Sequence, residues 1–136
     1  MSVISHHAAL IYTMVMVSAA DNEMTDAEMR TMGETINFLP VFADYQSSLM
    51  TDTVASCADL LDEDDGLESV FELIKDALPG KLRETAYALA CDVVAVDGEA
   101  HQEELRMLEM IRHELRIDRL TAAAIERGAR ARFATM

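Results

Sequence analysis

Ala19-Ala20-Asp21-Asn22-Glu23-Met24-Thr25-Asp26-Ala27-Glu28-Met29-Arg30 is answered 76 residues later by Ala95-Val96-Asp97-Gly98-Glu99-Ala100-His101-Gln102-Glu103-Glu104-Leu105-Arg106. At that offset the pairs Ala19/Ala95, Asp21/Asp97, Glu23/Glu99, Glu28/Glu104 and Arg30/Arg106 coincide. Each stretch follows an apolar, helix-like run and leads into another. Self-similarity at a fixed offset sets the architecture before any single element is considered. Here it predicts two related helical halves, about 8–36 and 84–112, within one domain covering residues 1–136.

Outward from the repeat, helical periodicity continues almost everywhere and strand signals are nearly absent. The run from about Ser5 to Ala20 is apolar around most of its circumference and predicts a central buried helix. A second helix, about Asp26–Asn37, opens with Thr25 and Glu28 in capping-box spacing and stops before Pro40. A third is expected from about Phe42 to Leu61. The run Asp62-Glu63-Asp64-Asp65-Gly66 breaks it and supplies an N-cap for a fourth, Leu67–Leu78, stopped by Pro79-Gly80. The fifth, about Lys81–Val96, repeats the first, and the sixth, about Gln102–Leu115, repeats the second. Asp118 caps a last helix ending near Phe133, where Ala122, Ala123 and Ala124 allow close packing. The fold expected is all-α, a bundle of six to seven helices built from two related halves.

The chain has 136 residues, is 51% hydrophobic and carries a net charge of −14. That length is one domain able to bury about two thirds of its unfolded surface. The charge is uneven. Residues 1–79 hold 15 acids against Arg30 and Lys75, whereas residues 80–136 hold 10 acids against 9 bases. Such a balance argues against nucleic acid, whose phosphates would be repelled over most of the surface. The longest apolar stretch, Ala8 to Ala20, is 13 residues, short of the roughly 20 a membrane span needs, and no basic region precedes it as a signal peptide would require. Cys57 and Cys91 sit in apolar helical patterns and read as reduced core thiols of a cytoplasmic protein.

The repeated turns carry the chemistry. Asp21-Asn22 and Asp97-Gly98 fall where helices should end, and Gly or Asn is what a left-handed C′ residue selects. Acid there is unfavourable by some tenths of a kcal/mol, because the helix dipole is negative at its C-terminus. Glu23 and Glu99 add to the repulsion. Glu28 and Glu104, in the first turn of the next helix, are explained by capping alone, and Asp-Gly and Asp-Asn are common turn dipeptides. A hard cation would offset both the repulsion and the dipole penalty. Neither copy has the 12-residue spacing of an EF-hand loop.

An apolar helix ending in Ala-x-Asp-Gly-Glu, then Glu and a further apolar helix, appearing twice in an all-helical chain, resembles the TerB-like family, which includes the N-terminal domain of the DjlA co-chaperone. The likeness runs from about Ala8 to Phe133. It implies two helical halves whose acidic turns approach near a pseudo-twofold axis, a divalent-metal site, association with partner proteins or a membrane-face complex, and a link to tellurite resistance. By motif position the metal ligands it implies are Asp21, Glu23, Glu28, Asp97, Glu99 and Glu104, with Asn22 replacing the usual Gly of the first copy. Ca²⁺ or Mg²⁺ are expected first and Zn²⁺ second.

Other residues have plainer readings. His101 lies between Glu99 and Glu103 and would add a nitrogen ligand, but its counterpart Thr25 has no such ability, so a solvated turn histidine is the expectation. His6 and His7 read as an exposed helix start. Met14, Met29, Met32, Met107 and Met110 fall on or beside apolar faces and read as core. Arg112, Arg116, Arg119, Arg127, Arg130 and Arg132 make the C-terminal helices basic, with docking on the acidic N-terminal half as the default and another subunit, as in a homodimer, or anionic lipid as alternatives. No nucleophile–base pair or phosphate-cradling loop is visible, so the expectation is a non-enzymatic binding module. Its rival is a protein–protein adaptor whose acidic turns meet a basic partner without metal.

Overall fold

In the computed structural model, residues 3–21, 24–98 and 100–136 are described. They form seven α-helices and, among the described residues, no strand: α1 (His6–Ala19), α2 (Asp26–Phe38), α3 (Met50–Leu61), α4 (Gly66–Ala77), α5 (Arg83–Ala95), α6 (Gln102–Glu114) and α7 (Arg119–Phe133). The repeat is visible in the helix boundaries. Shifting the end of α1 and both ends of α2 by 76 residues gives the end of α5 and both ends of α6.

α1 is the central element because nothing on its circumference is polar enough to stay in water. Eleven of its residues, among them Leu10, Ile11, Met14, Val15 and Val17, are buried. Its most extensive partner is its own repeat copy, α5, and α3, α4 and α6 pack around it. α5 in turn carries α7 on its outer side. Met14 and Met32 are fully buried, and Met29, Met107 and Met110 pack against that core from its edge. Among the described residues no helix is long and apolar enough to cross a membrane.

Four expectations needed correction. The third helix does not begin at Phe42. Pro40–Phe42 and Ser47–Leu49 are separate 3₁₀ turns ahead of α3, and this irregular stretch encloses His7. That histidine is buried, not an exposed helix start: its Nε2 lies 2.8 Å from the Val41 carbonyl oxygen and 3.1 Å from Asp44 Oδ1, with Phe42 and Tyr45 against the ring. The acidic run 62–65 breaks α3 as expected but caps α4 without a side-chain hydrogen bond, Asp65 itself standing at φ 57°. Gly66 is fixed by close approach, since a Cβ there would sit 2.2 Å from the Leu60 carbonyl oxygen. Among the described residues, finally, no ion pair joins the basic C-terminal arginines to the acidic N-terminal half. Arg132 pairs with Asp92 of α5, and Arg112 donates to the Ile117 carbonyl. Asp118 does cap α7, accepting from the Thr121 amide at 2.9 Å.

Candidate cation site between the repeat halves

The first turns of α2 and α6 are built alike. Thr25 Oγ1 accepts from the Glu28 amide at 3.1 Å and Glu28 Oε1 accepts from the Thr25 amide at 2.9 Å, a reciprocal box that satisfies two of the amides a helix start leaves open. In the second copy Glu104 Oε1 accepts from the His101 amide at 3.1 Å. Glutamate three residues into a helix is ordinarily a surface residue. Here both are buried, Glu28 at 1% and Glu104 at 2% exposure.

They are buried because the halves meet on them. Burial pushes Glu104 up to about 7, with the neighbouring Glu28 and Asp21 carboxylates adding to the rise and the His101 amide opposing it. Both glutamates sit in the first turn of a helix, whose partial positive charge offsets part of the cost of burying them.

Asp21 and His101 complete the group. Ligand atoms of Asp21, His101 and Glu104 all lie within 4.8 Å of one another, and His101 Nε2 is 3.9 Å from Asp21 Oδ2. Two ligands on opposite sides of one ion stand about 4.0–4.8 Å apart, so a single cation can reach all three. Burial is graded across the set: Glu104 is enclosed, the Asp21 side chain is 15% exposed and that of His101 is 55% exposed. The inner side is protein and the outer side is solvent, which gives an ion an entry path.

Of the acids named from the sequence, then, Asp21, Glu28 and Glu104 come together. Asp97 is exposed on the α5–α6 turn, and no described contact joins it to the group. Gly98 beside it has φ 77°, the left-handed turn residue its position predicted. Glu23 and Glu99, with Asn22, lie outside the described residues. His101, expected in solvent, is exposed yet stands within the group. The signal for it was its place at the helix N-cap, three residues before Glu104, where the first copy has Thr25. The two thiols offer no nucleophile: Cys57 and Cys91 are free and buried, and burial pushes each up to about 12.

No curated protein and no solved structure matches the chain. The sequence model of the family described as tellurite resistance protein TerB matches residues 7–127. That match covers most of the chain, and this chain belongs to the TerB family.

Proposed function

We propose that this chain is a non-enzymatic binding module in which a divalent cation, held by Asp21, His101 and Glu104 with Glu28 behind them, ties the two repeat halves together. The observation that carries this reading is the convergence of Asp21, His101 and the buried Glu104 within 4.8 Å of one another, with the equally buried Glu28 beside Glu104. A cation beside Glu104 would favour its ionised form and offset the cost of burying that charge. Asp97, exposed on the α5–α6 turn, adds attraction from a distance. A nitrogen donor alters the ion preference expected from oxygen ligands alone: Zn²⁺ and Mn²⁺ suit a mixed imidazole–carboxylate set better than Ca²⁺ or Mg²⁺. Any role in tellurite resistance, at a membrane-face complex or in the cytoplasm would be exercised through such a module.

One observation favours the metal-free adaptor. Each buried glutamate already accepts from the amide at its own helix start, so neither needs an ion for a hydrogen-bond partner. Titration calorimetry at neutral pH separates the two readings. The cation reading expects Zn²⁺ or Mn²⁺ to bind more tightly than millimolar, with affinity at least about tenfold lower in Asp21→Asn and Glu104→Gln and a smaller loss in Asp97→Asn. Absence of sub-millimolar binding, or variants that bind as the wild type does, leaves the adaptor.

A further inference from the structure

α6 and α7 both pack on α5 but scarcely on each other. Between them runs a trench of about 720 Å³, floored by Tyr87, Cys91 and Val94 of α5 and walled by Leu108 of α6 and by Ala129 and Phe133 of α7. Leu105, half exposed at 51%, stands on its rim. The floor from Tyr87 to Val94 is about 10 Å long by the rise of a helix. That is the span of side chains at i, i+4 and i+7 on one helical stripe.

Charge says what kind of occupant fits. Each wall carries an acid and a base: Glu109 and Arg112 on α6, Glu126 and Arg130 on α7. Two of the four are engaged within the fold. Glu126 accepts from the Tyr87 hydroxyl at 2.5 Å, and Arg112 donates to the Ile117 carbonyl. Glu109 and Arg130 have no hydrogen-bond or ion-pair partner among the described residues, and they stand on opposite walls. A free anion or an acyl chain with one charged head would satisfy only one wall. A helix lying along the trench would pack on α5 as α6 and α7 do, and would present a flank to each wall.

We propose that the α5–α6–α7 trench is a docking groove for an amphipathic α-helix of a partner protein, one bearing an apolar stripe, a basic flank toward Glu109 and an acidic flank toward Arg130. This surface is distinct from the cation site and does not depend on it.

The test uses the full chain and three synthetic helical peptides sharing one leucine stripe: one with a Glu flank and a Lys flank, one with Lys on both flanks, one with Glu on both. Binding is followed by amide chemical shifts at physiological salt. The wild type binds the mixed peptide at micromolar strength, with shifts confined to trench residues, and each single-sign peptide about tenfold more weakly. Arg130→Glu moves the preference to the Lys-flanked peptide, and Glu109→Arg moves it to the Glu-flanked one. Leu105→Glu weakens all three. These side chains are exposed, and unchanged helical circular dichroism confirms that the variants fold. The proposal is overturned if no peptide binds, if all three proteins rank the peptides alike, or if decanoate shifts the trench residues while the mixed peptide does not.

Discussion

Glu104 shows how a residue with a routine local role acquires a second one from its surroundings. As a capping glutamate it needs one oxygen for the His101 amide. Burial against Glu28 then makes its charge costly and raises its titration to about 7, against an ordinary value of 4.5. The sign of the pH effect follows. Above pH 4.5 the unfolded chain has already released this proton while the folded chain still holds it, so the unfolded state is favoured increasingly up to pH 7 and evenly beyond. Stability should therefore fall by on the order of 2–3 kcal/mol across that window from this group alone. Glu104→Gln keeps a hydrogen-bonding group and removes the titration. Urea midpoints measured from pH 5 to 8 should show that part of the slope lost in the variant. An unchanged slope would mean that the proton is not held there. The residues themselves showed these two glutamates only as helix caps, because nothing local to residues 25–28 or 101–104 reveals that the two caps come together; the approach of the two turns was implied by the family resemblance alone.

At the scale of elements, the chain reads well wherever a helix is set by its own signals. Thr25 with Glu28 starts α2, Asp118 starts α7, and Gly98 turns the chain after α5, each where the sequence placed it. It reads poorly between residues 39 and 49. There an apolar pattern continues, but Pro40 and the burial of His7 by Val41, Phe42 and Tyr45 divert the backbone into two 3₁₀ turns. Tertiary contact decides that segment, not periodicity. Gly66 is a similar case. In the sequence it looks like the end of a loop, whereas in the fold it is the first residue of α4, pressed against the last carbonyls of α3. Gly66→Ala would drive a methyl to 2.2 Å from the Leu60 oxygen, so the α3–α4 corner must open. A loss of about 2 kcal/mol or more in thermal or chemical unfolding is expected, although alanine is the better helix former. A neutral or stabilising result would show that the corner yields freely.

Across the whole molecule, residues related by the 76-residue offset are neighbours in space as well as equivalents in the chain. The duplicated helices α1 and α5 pack against each other in the core, and the duplicated turns bring their glutamates together at the same junction. The pairing of halves was legible from the repeat. Which acids would converge was not, since Asp21 and Asp97 are equivalent in sequence yet only Asp21 stands beside His101 and Glu104. The asymmetry follows from the N-cap residue. Histidine at position 101 reaches toward Asp21, and the threonine at position 25 is too short and of the wrong chemistry to hold Asp97 in the same way. Among the described residues the two related turns thus offer a single mixed carboxylate–imidazole group.

The central claim is that this group takes one cation between the halves. Its most direct test is an anomalous difference map from a crystal of the full chain grown with Mn²⁺ at neutral pH. One peak about 2.0–2.4 Å from Asp21, His101 and Glu104 is predicted. A map without that peak, or with manganese only on exposed carboxylates such as Asp97, would contradict it.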